Sequence, residues 1–141
     1  MTAAVATRAE FEALLDRVLS LVSSDPEAGP RLAAADVAER VEIQDLGLVL
    51  NLASDPSTGR GLRWEFSDDI DWRPHLSLAM DSDVANRYLQ GKENFAIAVA
   101  RKRIRVSCGD ARAALRLLPV YRPVFERFRE VVERDYPQLA V

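Results

Sequence analysis

Between Arg101 and Leu118 the chain changes its apolar period once, from two to that of a helix, across a single glycine. Ile104, Val106 and Cys108 alternate with Arg103, Arg105 and Ser107, the pattern of a strand with one buried face. Beyond Gly109, Asp110 is placed to cap a helix. Ala111, Ala113, Ala114, Leu115, Leu117 and Leu118 are good helix formers on its C-terminal side. A basic-edged strand, a tight turn and an apolar helix thus follow one another within eighteen residues.

The N-terminal part supplies the first partner. Phe11, Leu14, Leu15, Val18, Leu21 and Val22 recur at helical spacing over residues 7 to 23, with Thr7 as the expected cap. Ser23-Ser24-Asp25-Pro26 ends this helix, and Asp25 can start a short second one that Gly29-Pro30 interrupts. The alanine-rich stretch from Arg31 to Ala38 reads as helix. The helical N-terminal segment is therefore expected over residues 7–38.

From Glu39 the period becomes two. Arg40, Val41, Glu42, Ile43 and Gln44 alternate, and Leu46, Leu48, Leu50 and Leu52 share one face, with Gly47 marking a bend or bulge between two strand segments. The turn formers Ser54 to Gly59 lead into Leu62, Trp64 and Phe66, so the two runs are expected to pair as an antiparallel hairpin. After a loop through Asp68, Asp69 and Asp71, a further strand places Leu76, Leu78 and Met80 on one side and His75, Ser77 and Ala79 on the other. Asp81-Ser82-Asp83 is expected to cap a helix from Val84 to Gln90, which Gly91 stops, and residues 94–100 form a short apolar helix. Past Pro119 and Pro123, Val124, Phe125, Phe128, Val131, Val132 and Tyr136 predict a helical tail over 119–136. Strands in succession with helices grouped outside them describe an α+β chain with one sheet face covered, the sheet and its helices filling 39–118, in one domain over 1–141.

Composition narrows the function classes. Hydrophobic residues make up 48% and charged residues 29% of the 141, and no apolar run reaches the roughly 18 residues that span a membrane. The first residues meet Glu10 and Glu12 early and do not read as an export signal, so a cytoplasmic location is expected. One cysteine and one histidine exclude an internal disulfide and an ordinary zinc site. The net charge of −3 argues against nucleic acid as the main partner. That average hides nine basic residues between Arg101 and Arg129 against only Asp110 and Glu126.

Residues that could carry chemistry are few. Asp68, Asp69 and Asp71 lack the spacing of a calcium loop. His75 reads as a solvated strand-edge residue and Cys108 as a small buried one. GxSxG, HExxH, GxGxxG and P-loop patterns are absent, which turns the reading toward binding, without a cofactor and without catalysis. A hydrolase using Asp69 or Asp71 with His75 is the weakest alternative. The bulk of Phe66, Met80, Tyr88, Phe95, Phe125 and Phe128 suits either an ordinary core or an apolar cavity.

Asp81-Ser82-Asp83 opening a helix, Leu89-Gln90-Gly91-Lys92 ending it, the apolar helix near Asn94 to Ala100, the basic-edged strand, Gly109-Asp110 and Ala113 to Leu118 together resemble the sterol carrier protein 2 domain family over residues 40–118. Two departures stand out. The family commonly has a glycine entering the basic-edged strand, where this chain has Arg101-Lys102, and the strand is one residue longer, with Cys108 before its closing glycine.

The resemblance implies a mixed, mostly antiparallel sheet of about five strands with helices over one face, and an apolar tunnel that takes sterols, fatty acyl chains or isoprenoid-type lipids. Strand parity and the helix pattern then nominate the lining: Leu50, Leu52, Trp64, Phe66, Leu78 and Met80 from the sheet, with Phe95, Val99, Leu118, Phe125 and Phe128 from the helices. Binding or transfer of a hydrophobic lipid is the leading expectation, with Arg101 to Arg129 facing an anionic membrane surface. The alternative is an accessory or dimerisation module with a filled core, forming a homodimer or serving a partner enzyme.

Overall fold

The computed structural model describes residues 4–55, 57 and 61–141, so part of the turn expected over Ser54–Gly59 lies outside the described residues. Helix α1 (Arg8–Ser23) begins at a reciprocal cap. Thr7 Oγ1 accepts from the Glu10 N–H at 3.1 Å, and Glu10 returns a carboxylate oxygen to the Thr7 N–H. Helix α2 (Ala28–Ala34) contains Gly29-Pro30 rather than being broken by it. Pro30 falls in the first turn, where a backbone N–H has no helical partner to lose, and Asp25 Oδ1 accepts from the Glu27 and Ala28 N–H groups just ahead of it. The helix stops at Ala34, and Ala38 already belongs to the sheet.

Five strands follow among the described residues: β1 (Ala38–Ile43), β2 (Leu48–Ser54), β3 (Leu62–Glu65), β4 (Leu76–Met80) and β5 (Arg105–Cys108). Their spatial order is β3-β2-β1-β4-β5, with β1 and β4 parallel and the other neighbours antiparallel. The sheet is thus mixed and mostly antiparallel. A 3-10 turn at Gln44–Leu46 ends on Gly47 at φ +60°, a left-handed value that reverses the chain into β2. Gly47 therefore closes a hairpin, and the expected pairing of the second and third runs is seen as Leu52 opposite Trp64.

Helices α3 (Ser82–Leu89), α4 (Phe95–Ala100) and α5 (Ala111–Asp135) complete the order. The cap of α3 differs from the sequence expectation. Asp81 makes no side-chain cap bond; instead Asp45, from the turn before β2, takes the Ser82 N–H at 2.7 Å and its hydroxyl at 2.6 Å. Helix α5 runs unbroken through Pro119 and Pro123, so the expected division at 119 is absent. Each proline removes one donor, and the residues whose carbonyls lose it, Leu115 and Pro119, are both exposed to water. Burial of Tyr121, Val124, Phe128, Val131 and Val132 along one side holds the helix to the rest of the fold.

Both departures at the basic-edged strand have a structural counterpart. Lys102 takes the left-handed conformation, φ +61°, at the turn where the family would have glycine. In β5 the register shifts by one residue, with Ser77 opposite Cys108 but Leu78 opposite Val106, so Ser107 is the extra residue of a bulge. The bulge breaks the alternation. Cys108 is exposed rather than buried, with its Sγ 3.5 Å from the Pro74 carbonyl.

The core lies between the inner sheet face and α1, α3 and α5. Phe11 of α1 meets Phe128 of α5 with ring centroids 6.3 Å apart, both fully buried. The outer face is also covered in part, since all five residues of β4 are buried and the Asn51 side chain donates to the Ser67 carbonyl from beneath the β3–β4 loop. Arg40 clamps that loop by bonding Glu42 at 2.9 Å and Asp68 at 2.6 Å. This accounts for Asp68 as a structural partner. His75 is exposed, and its N–H donates to the Ala38 carbonyl at 2.7 Å.

Candidate lipid cavity

Strand pairing sets the inner surface. Val41 lies between Leu50 and Leu78, and Ile43 between Leu48 and Met80, so three adjacent strands present aliphatic side chains in rows. Leu15, Val18 and Leu19 of α1, Ala85, Tyr88 and Leu89 of α3, and Tyr121, Val124 and Phe125 of α5 close over them around a cavity of about 70 Å³. At about 30 Å³ per water this is room for two or so waters.

Outside it lies an open groove of about 280 Å³ whose sides include Phe95, Leu118, Pro119 and Arg122. Tyr88 and Phe125 line both spaces. Their rings meet edge to face with centroids 5.2 Å apart, and Phe95 and Tyr121 stack beside them at 5.9 Å from Tyr88 and 6.3 Å from Phe125. An aromatic partition therefore separates cavity from groove.

Of the residues nominated from sequence, Leu50, Leu52, Leu78, Met80 and Phe125 meet in the cavity, while Phe95 and Leu118 line the groove. The other four lie elsewhere. Trp64 shares a face with Leu52 but stands on the edge strand, where its Nε1–H donates to Asp16 of α1 at 3.0 Å. Phe66 follows β3 and is half-buried against the core, as is Val99 on α4. Phe128 is consumed by packing on Phe11.

The remaining lining residues, those of α1 and α3 together with Glu39, Val41, Ile43, Tyr121 and Val124, were not nominated from the sequence, and Glu39 differs from them in being charged. Glu39, the second residue of β1, lies on the same face as Val41 and Ile43, between Leu52 and Leu76, and is 5% exposed. Burial, partly offset by the facing Tyr121 hydroxyl, pushes its carboxyl from 4.5 up to about 7. Burial and then the Glu39 charge push the Tyr121 hydroxyl well above its ordinary value, and Tyr88 likewise. The Tyr121 oxygen nevertheless satisfies no hydrogen-bond geometry. The period-two run from Glu39 carried the signal, because parity alone puts Glu39 on the apolar side.

The groove's rim is fixed by charge. Glu93 accepts from Arg87 at 3.1 Å and Arg103 at 2.9 Å. Partial burial works against the Glu93 carboxylate, but the two guanidinium groups hold its pKa below the ordinary value. Among the described residues no cluster of three His, Cys, Asp or Glu is arranged to hold a metal, and no helix is long and apolar enough to cross a membrane.

The geometry defines a class first: an α+β fold with a mixed five-stranded sheet whose helix-covered face encloses an apolar cavity. That fold is the one seen in sterol carrier protein 2 domains. The chain is similar to the ubiquinone synthesis protein UbiJ-SCP2, with a TM-score of 0.56 and 16% identity over 84% of this chain and 90% of that one. It is also similar to the sterol carrier protein domain 2 of Helicoverpa armigera, with a TM-score of 0.55 and 14% identity over 82% and 87%. A double mutant of the sec-alkyl sulfatase PisA1, an enzyme from Pseudomonas sp., matches with a TM-score of 0.61 and 12% identity over 80% of this chain. The chain spans only 16% of that enzyme's length. No protein-family model and no curated protein matches the sequence.

Proposed function

We propose that this protein binds, and passes on, a hydrophobic lipid between its sheet and helices, without catalysing a reaction. The observation that carries this reading is the cavity itself, lined by aliphatic side chains of β1, β2 and β4 apart from Glu39 and sharing Tyr88 and Phe125 with the groove. Ligand pockets usually span about 300–1,000 Å³, so a lipid enters by swinging Phe125 and Tyr88 aside and joining groove to cavity. Each methylene buried contributes about 0.8 kcal/mol, and ten of them give useful affinity with little polar specificity. Sterol, fatty acyl and isoprenoid chains all fit this chemistry. The fold it shares with sterol carrier protein domains favours the same reading.

Delivery at an anionic membrane surface suits the exposed Arg101 and Lys102, with Ile97 47% exposed one turn before them on α4. The small volume of the cavity favours a second reading, a filled module that pairs with itself or with a partner enzyme. Native mass spectrometry of the purified protein, followed by extraction, separates the two. A co-purified lipid, or one-to-one uptake of a fluorescent fatty acid that is faster in Phe125→Ala, supports the first. A lipid-free dimer that takes up nothing supports the second.

A further inference from the structure

We propose that Glu39 and Tyr121 form a polar anchor inside the cavity for the head of a long-chain lipid bearing an uncharged oxygen, an alcohol or a carbonyl. This rests on the lipid-binding reading and specifies its ligand.

Two observations carry it. A glutamate in the central strand of the sheet is 95% removed from water among leucines, although an apolar residue of similar size would pack there without the cost of desolvating a carboxyl. Facing it, Tyr121 is 7% exposed, and its buried hydroxyl, although turned toward the Glu39 carboxyl, completes no well-formed hydrogen bond, so a donor in the cavity is left unsatisfied. An alcohol or carbonyl oxygen between them accepts from Tyr121 and from the protonated Glu39 carboxyl. Its chain then lies along Leu50, Leu52, Leu78 and Met80. An ionised fatty acid brings a charge with no cationic partner into this apolar space and is selected against.

The elements packed around Glu39 leave few other groups to titrate. The cavity residues of α1, β2 and β4 are Leu15, Val18 and Leu19, Leu50 and Leu52, and Leu78 and Met80. Tyr88 of α3 and Tyr121 of α5 are the titratable groups facing it, and both are raised away from neutrality. Binding of the neutral lipid therefore requires the proton on Glu39 and weakens as pH rises past neutrality.

Calorimetric titration of 1-dodecanol and of dodecanoate into the full chain tests this at pH 6.5 and pH 8. The wild type is expected to bind dodecanol at least tenfold more tightly than dodecanoate at pH 6.5, and dodecanol several-fold more weakly at pH 8. Glu39→Gln keeps a donor and removes the pH dependence. Glu39→Leu binds both chains within twofold of one another, and Tyr121→Phe lowers the preference at least threefold. A wild type that binds both lipids equally, or a preference that survives Glu39→Leu, overturns the anchor while leaving lipid binding intact. Binding of neither lipid by any form overturns both.

Discussion

Replacing Glu39 by glutamine keeps the size and hydrogen-bonding shape of the side chain and removes its charge, so it isolates the cost of ionising a carboxyl among leucines. In the unfolded chain Glu39 releases its proton near 4.5, whereas in the folded protein it holds it up to about 7. Between those values the folded state binds more protons than the unfolded one, so stability falls as pH rises. Moving a carboxyl from 4.5 to about 7 corresponds to about 3 kcal/mol at about 1.36 kcal/mol per pH unit. That cost is absent at pH 4 and complete above pH 7.5 or so. Urea unfolding followed by the fluorescence of Trp64 and Trp72, at pH 4.5, 6, 7 and 8, measures it. The stability of Glu39→Gln relative to wild type is expected to climb by about 3 kcal/mol across this range, in favour of the variant at pH 8. Parallel pH profiles for the two proteins would refute the argument that Glu39 is held in an apolar site.

Three further substitutions test the framework. Gly109→Ala places a Cβ 2.6 Å from the His75 carbonyl at a residue with φ +76°, and is expected to cost about 2–3 kcal/mol, seen as a lowered thermal midpoint. Asp45→Ala strips the buried Ser82 of both its acceptors and should cost about 2 kcal/mol in denaturant unfolding, with Asp45→Asn recovering part of it. Glu93→Gln weakens the tie between Arg87 and Arg103 by about 1–2 kcal/mol at pH 7. Because the folded carboxyl titrates below the unfolded one, that difference is present above the ordinary glutamate pKa and disappears as pH falls through the folded value.

The sheet was legible in the sequence because period two fixes faces. Leu50, Leu52, Leu78 and Met80 were assigned to one side by parity, and strand pairing brings them to the same cavity. Parity says nothing about position across a sheet, so Trp64 shared their face yet stands at an edge, tied to Asp16. Phe128 obeyed the helical spacing, but helix length decided its neighbour, placing it on Phe11 beyond the cavity.

Local rules failed where tertiary burial outweighed them. Pro119 breaks a helix in isolation, but α5 keeps its course because its buried side outweighs two lost hydrogen bonds on exposed turns. Cys108 belonged to an apolar alternation until the bulge at Ser107 reset it. Glu39 was hidden by residue type: its place in the pattern pointed inward, but a carboxylate is ordinarily assigned to water. The departure at Arg101-Lys102 left the turn intact because Lys102 itself adopts the left-handed conformation.

The central claim is that a lipid occupies the space between sheet and helices. Methyl ¹H–¹³C NMR during titration with 1-dodecanol addresses it directly, since the cavity wall carries Leu15, Leu19, Leu50, Leu52, Leu78 and Met80. These methyl resonances should shift together and saturate at one equivalent, while exposed Leu115 and Val141 stay in place. Shifts confined to the exposed methyls, with the cavity resonances unmoved, would contradict it.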